Sequence, residues 1–301
     1  MKSLLMCMVF FHSLLSFEYT LEAKKVGATT HCFIGLPEVM DKHNNGNMVN
    51  SCFVDMGTSY LVIDSGPTYL YAQNAYKKMK EIKELPVSYV INTHVHDDHW
   101  LGNSYYNELG VKILGSKQFE SLVKSEMTRM QKNISKEAYA GTSEVFPNEF
   151  VNDKKVLMIN DMEVQIKSIN KKAHSNSDLF VYIPSISTVF AGDLVFNERI
   201  PSLRDGNINT WIQVLDDIKS LDAEYIVGGH GAITNMESTD ATYKYLSELK
   251  NKVASLIEEG VEIDDALNEA TMPYFQNFKL YEMMHRQNIE VAYRMLEWGD
   301  E

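Results

Sequence analysis

Thr93-His94-Val95-His96-Asp97-Asp98-His99 is the stretch on which the reading of this chain turns. Its three imidazoles and two carboxylates fall within six consecutive residues. The apolar, β-branched run Val87 to Ile91 precedes them and reads as a buried strand. Gly102-Asn103 follows, ahead of a polar and aromatic stretch that can open a helix. The cluster therefore occupies a turn at a strand end, where binding loops are commonly carried on a rigid scaffold. Residues two apart in extended backbone point the same way, so His94 and His96 can hold one metal ion. Asp98 and His99, beyond them, face a second. Neutral imidazole and carboxylate are ligands that zinc accepts readily.

Three further candidate ligands stand where a strand meets a turn. His174 lies in the polar turn Ala173-His174-Ser175-Asn176-Ser177-Asp178, Asp193 follows Gly192 at the end of the strand Ser187 to Ala191, and His230 sits between glycines after Tyr225 to Val227. Taken singly, His174 reads equally as a structural histidine, His230 between glycines reads so less readily, and Asp193 reads as a turn or helix cap. Taken with the first cluster, they read as one ligand set. Asp64 and Asp97 are candidates to hold ligand imidazoles by their second nitrogen. Asn103 and Tyr105 are candidate pocket residues, Trp100 and Trp211 default to the core, and His31, His43 and His285 stand outside the site.

The remaining pattern is α/β. Short strands run from Lys24 to Gly66, with Val49 to Met56 and Tyr60 to Ile63 joined by the turn Gly57-Thr58-Ser59. Helical spacing covers Tyr69 to Leu85 and Asn207 to Leu221, and a charged amphipathic helix is expected over Ser116 to Asn133. Val111 to Leu114, Lys155 to Ile159, Met162 to Ile169 and Leu179 to Ile183 read as strands. Tyr139 to Asp153 reads as irregular surface chain, and the region after Thr239 as helix-rich. No internal repeat is visible.

The chain has 301 residues, 45% of them hydrophobic, enough for a sizeable core. A formal net charge of −13 repels polyanions and argues against a nucleic-acid partner. Residues 1–17 read as a signal peptide: Lys2 supplies the charge and Leu4 to Phe17 the apolar run, which is short for a membrane span of about 20 residues. A periplasmic location is therefore expected, with membrane contact only if the leader is uncleaved; a buried N-terminal helix is the other reading. Removal of the leader takes Cys7 with it. Cys32 and Cys52 are then expected as two unpaired buried thiols, with a disulfide as the alternative.

His94-x-His96-x-Asp98-His99, then His174, Gly192-Asp193 and Gly229-His230-Gly231, resembles the metallo-β-lactamase superfamily. The resemblance implies an αββα four-layer sandwich over residues 24–234, with residues 235–301 as a helical extension packed on it. It implies that His94, His96 and His174 bind one metal, that Asp98, His99 and His230 bind a second, and that Asp193 bridges them. Two divalent ions are implied, zinc first, with Fe or Mn also accepted by such ligands. The aspartate at 193 is similar to that of hydroxyacylglutathione hydrolases and lactonases. Gly192 to Arg204, Asp205-Gly206, Trp211, Asn50-x-x-Phe53 and Ile91-Asn92-Thr93 resemble the periplasmic quinoprotein-relay and sulfur-oxidation-associated metallohydrolases. The expected activity is binuclear hydrolysis of a small ester, thioester or lactone by a metal-bridging hydroxide, with Asp98 as the catalytic residue orienting it. The alternatives are a β-lactamase, a mononuclear iron persulfide dioxygenase, and a non-catalytic accessory that binds metal and docks on a periplasmic redox partner.

Overall fold

The structure is a computed structural model that describes residues 17–122, 128–235 and 237–299. Of the proposed leader, residues 1–17, all but Phe17 lie outside the described residues, Cys7 among them. Among the described residues no helix is long and apolar enough to cross a membrane.

Two sheets form in chain order. The first contains β1 (Ala23–Val26), β2 (Thr30–Phe33), β3 (Ser51–Asp55), β4 (Tyr60–Ile63), β5 (Val87–Ile91), β6 (Lys112–Ser116) and β7 (Glu149–Val151). Its first four strands pair antiparallel and the last four parallel. The second contains β8 (Lys154–Ile159), β9 (Met162–Ser168), β10 (Leu179–Ile183), β11 (Thr188–Phe196), β12 (Tyr225–His230) and β13 (Thr234–Asn235). Here β11 and β12 are parallel and the other pairs antiparallel.

Period-2 alternation explains the layering. In β3 and β4, Cys52, Val54, Leu61 and Ile63 face the second sheet, where they meet Val164, Ile166, Val181 and Phe190. Their neighbours Phe53, Tyr60 and Val62 face outward onto Tyr71, Ala72, Ala75 and Met79 of α1 (Tyr69–Ile82). Strands buried on both faces read as near-continuous apolar runs, which is why this segment shows so little polar alternation. On the same outer side lie α2 (Asp97–Trp100), α3 (Asn103–Glu108), α4 (Phe119–Leu122), α5 (Arg129–Asn133) and α6 (Lys136–Tyr139). The second sheet is covered by α7 (Ile208–Lys219), α8 (Ser238–Glu258), α9 (Ile263–Glu269) and α10 (Tyr281–Trp298). The four-layer αββα order is that of the expected fold.

Three expectations need correction. A continuous helix over Ser116 to Asn133 does not form: residues 123–127 lie outside the described residues, and Thr128 is extended and caps α5 through its side chain. A threonine hydroxyl satisfies an exposed N–H of the first turn, so it starts a helix more readily than it continues one. The stretch Tyr139 to Asp153 is not wholly irregular, because β7 adds a parallel edge to β6. Cys32 and Cys52 are joined in a disulfide across β2 and β3, where they are direct register partners with Cα atoms 4.1 Å apart. Pairing in a sheet brought together two thiols whose spacing in the chain gave no such signal.

Candidate metal centre

Each of the seven candidate ligands is carried by a strand end or by irregular backbone next to one. His94 and His96 follow β5, while Asp98 and His99 ride on the single turn of α2. His174 lies in the β9–β10 turn, which is tied down by Ser175 N and Oγ donating to Asp178 at 2.7 Å each. Burial raises the Asp178 carboxyl to about 6, even though Ser175 hydrogen-bonds to its charged form. β11 runs on to Phe196, past the predicted strand end, so Asp193 is a strand residue. Gly192 there has φ +52° and the register with β12 shifts on both sides of it. Such an irregularity re-aims the next side chain, and only glycine fits, since an added Cβ would overlap Thr93. Gly229 of β12 is equally constrained, because a Cβ there would run into the Asp193 carboxylate.

The ligand atoms converge in two groups sharing Asp193. Its Oδ2 stands 3.6 Å from His94 Nε2 and 3.3 Å from His174 Nε2, and the latter is 3.0 Å from His96 Nδ1. Its Oδ1 stands 3.1 Å from His99 Nε2 and 3.3 Å from His230 Nε2. Asp98 Oδ2 completes the second group, 3.7 Å from His99 Nε2 and 3.5 Å from His230 Nε2. A tetrahedral cation with bonds of about 2.0–2.1 Å holds its ligand atoms about 3.3 Å apart, and the observed spacings bracket that value. Among the described residues, His94 Nε2, His99 Nε2 and Asp193 Oδ1 are buried without a hydrogen-bond partner. They are near one another but not aligned on one another, as atoms aimed at a common central point must be. Buried polar atoms in that state call for an explanation, and a bound cation supplies it. The residues present therefore fit divalent metal ions.

The far nitrogens are held in turn. His99 Nδ1 lies 2.8 Å from Asp64 Oδ2, which also accepts from Thr93 Oγ1 at 2.8 Å. His230 Nδ1 donates to the Met48 carbonyl at 2.6 Å, and His96 Nε2 donates to Asp205 Oδ2 at 3.1 Å. These bonds set which nitrogen carries the proton and leave the other lone pair facing inward. Burial lowers His94 well below its ordinary value and takes His96 to about 4, so both are neutral ligands at physiological pH. Burial alone would raise Asp98 and Asp193, but the surrounding histidines, with Arg129 beside Asp98, outweigh it and hold both carboxyls low. Burial opposes charge on His99 too, yet Asp193, Asp64 and Asp98 push it well above its ordinary value. Several buried carboxylates thus demand positive charge at the point where the second group converges.

A family model of the Metallo-beta-lactamase superfamily matches residues 44–230. The chain belongs to the metallo-beta-lactamase superfamily. Among solved structures it resembles a metallo-beta-lactamase from Pontibacter korlensis, with 18% identity and a TM-score of 0.60 over 75% of this chain and 99% of that one. It also resembles the DIM-1 metallo-beta-lactamase, with 13% identity and a TM-score of 0.59 over 75% of this chain and 97% of that one. At such identities the likeness is one of fold. Members of this superfamily are metallo-hydrolases, and this chain carries the His/Asp groups for divalent cations.

Around this superfamily centre the structure reassigns several residues. Asp97 holds no imidazole: it accepts from Arg129 Nε at 3.0 Å and from Met130 N at 2.8 Å, fastening α5 beside the site. Asn103 is buried on Asn92, Ser65 and the Val145 carbonyl, and Tyr105 packs against Tyr69 and Tyr106, so neither lines the cleft. Asp64 does hold His99, as expected. Trp100 and Trp211 are core residues, although the Trp211 ring backs His174 at 5.0 Å. His285 is a core residue as well.

Three residues at the site were given no role in the sequence reading, although Arg199 and Asp205 fall in stretches that carry the resemblance. Arg129 Nη2 pairs with Asp98 Oδ1 at 2.8 Å, and Asp205 holds His96. Arg199, 4% exposed, packs its guanidinium on Phe196 and lines the cleft. Its Nη1 is 3.4 Å from His230 Nδ1, but that nitrogen already donates to Met48 and cannot accept; Arg199 Nε has no hydrogen-bond partner among the described residues. Of the three, only Asp205 carried a local sign, its Asp-Gly turn.

Proposed function

We propose that this protein hydrolyses a small carbonyl compound, an ester, thioester or lactone, with two divalent cations, zinc first. The observation that carries the reading is the divided Asp193 carboxylate, one oxygen facing His94 and His174 and the other His99 and His230. His94, His96, His174 and Asp193 would hold the first cation, and Asp98, His99, His230 and Asp193 the second. Such a pair supplies water activation near neutral pH and polarisation of a carbonyl. Asp98 has one oxygen fixed by Arg129 and the other turned to the centre, which suits it to orient the attacking water and receive its proton. Arg199 offers an unpaired buried cation to a carboxylate on the substrate, and Met40, Met48 and Phe196 offer an apolar wall. Removing water from this cleft strengthens both contacts.

Export to the periplasm is part of the proposal. The N-terminal apolar run and the Cys32–Cys52 disulfide, which suits an oxidising compartment, support it. So does the resemblance to the quinoprotein-relay and sulfur-oxidation-associated subgroup, for which a redox partner is one option. The test is elemental analysis of the purified protein, then turnover of nitrocefin, lactoylglutathione and panels of lactones and thioesters. Two zinc ions per chain with turnover of a lactone or thioester are expected. Turnover of nitrocefin alone would favour a β-lactamase, one iron with oxygen uptake a persulfide dioxygenase, and two ions without turnover an accessory role.

A further inference from the structure

The C-terminal helix α10 lies beyond the stretch matched by the family model, yet it lines the cleft over the candidate metal centre. Its Asn288 is fully buried and all its hydrogen-bonding groups are engaged. Asn288 Nδ2 donates to the Pro201 carbonyl at 2.7 Å and to Tyr245 Oη at 2.9 Å, and Oδ1 accepts from Leu203 N at 2.9 Å. The orientation of that amide is not arbitrary. The Ala270 carbonyl can only accept, so His285 Nε2 carries the proton shared with it at 2.8 Å. His285 Nδ1 is then an acceptor for Tyr245 O–H at 3.0 Å, and the Tyr245 oxygen receives Asn288 Nδ2. The chain of donors from α8 and α10 therefore leaves Asn288 Oδ1 no role but to take Leu203 N–H.

Leu203 and Pro201 belong to the segment that carries Arg199 and Asp205. A second clamp holds its start: Ile200 N donates to the Lys279 carbonyl at 3.0 Å, and Lys279 N donates to the Glu198 carbonyl at 2.9 Å. Met284 and Gln287 of α10 stand in the wall of the same cleft. Asp205 is half-exposed, and Arg204 grips the same Oδ2 that His96 uses. A half-exposed carboxylate on a loop keeps its place when the backbone is pinned on both sides: Asn207 N donates to the Ala173 carbonyl at 2.7 Å on one side, and Asn288 pins Leu203 two residues away on the other.

We propose that Asn288 is a positioning residue for the metal centre: from the C-terminal helix it fixes the 199–205 segment so that Asp205 holds His96 with Nδ1 turned to the other ligands. The helical extension is on this account part of the catalytic unit. The inference rests on the proposed function in that His96 is taken as a metal ligand.

Zinc affinity measured by chelator competition on the full chain tests it without any substrate. Loss of a partner that holds a ligand imidazole weakens metal binding by about 10–100-fold, so Asp205→Asn should fall in that range. Asn288→Ala should lose about tenfold by the same route, and the double variant should bind no more weakly than Asp205→Asn alone. Tyr245→Phe keeps the buried ring and removes only the hydroxyl that orients Asn288; it should weaken zinc a few-fold, and it carries the test if Asn288→Ala does not fold. Unchanged zinc affinity in Asn288→Ala and Tyr245→Phe, beside a weakened Asp205→Asn, overturns the inference and leaves the proposed function standing. So does a double variant whose losses multiply. Absence of zinc binding by the unaltered protein removes the proposed function, and this inference with it.

Discussion

Asp193→Asn is the most informative single change. The carboxylate is 5% exposed and is the only ligand facing both groups, with spacings of 3.3 and 3.6 Å on one side and 3.1 and 3.3 Å on the other. An amide of nearly the same shape keeps one oxygen acceptor, but its NH2 must point at the remaining group, where it cannot ligate. Zinc held by four protein donors is bound by about 10–16 kcal/mol at neutral pH, or about 3–4 kcal/mol per donor if shared evenly. The group that meets the NH2 should therefore bind its ion about 10²–10³-fold more weakly, while the other is less affected. Elemental analysis after dialysis against a weak chelator should fall from two ions per chain to about one, with activity lost in proportion to the emptied group. Far-ultraviolet circular dichroism would check that the fold is kept. Two ions retained at unchanged affinity would refute the bridging role, and retained activity would refute the catalytic one.

Other predictions follow from the same geometry. Arg199→Met should raise KM for carboxylate-bearing substrates by about 10–100-fold, matching about 1.5–3 kcal/mol for a charged hydrogen bond, with a smaller effect on kcat; equal KM values for charged and neutral substrates would count against an anion contact. Exhaustive chelation should lower the melting temperature by roughly 15–30 °C, since each ion present at a thousandfold excess over its Kd adds about 4 kcal/mol and the proposal places two, and zinc should restore it. Reducing the Cys32–Cys52 bridge, or replacing both residues with serine, should cost about 3 kcal/mol for a loop of this length. That loss reads as a melting temperature roughly 6–12 °C lower, with zinc content unchanged.

Much of the centre was legible because its first part is local. His94, His96, Asp98 and His99 lie within one strand-end turn, and their spacing alone dictates which atoms can share an ion. His174, Asp193 and His230 were legible for a second reason: each ends or interrupts a strand beside glycine or small polar residues, a pattern that packing alone does not require. The αββα layering followed from the resemblance, and the short apolar runs of β3, β4 and β10 agree with it. Asp64 could be named for its helix-start turn. Asp97 could be named but not assigned, since nothing in its neighbourhood foretells Arg129, 32 residues on.

The amino-acid sequence by itself determined the seven candidate ligands and the buried strands that carry them, and the resemblance it bears implied their division into two groups. Only the tertiary structure decided what surrounds those ligands. Arg129 comes from α5, Arg199 and Asp205 from the segment after β11, and Asn288 from α10, and Cys32 meets Cys52 only through sheet register. Ligand types and turn signals are written in short windows, because metal geometry and backbone sterics act over a few residues. The partners of a long or loop-borne side chain are set by how whole layers pack, and no short window contains that information.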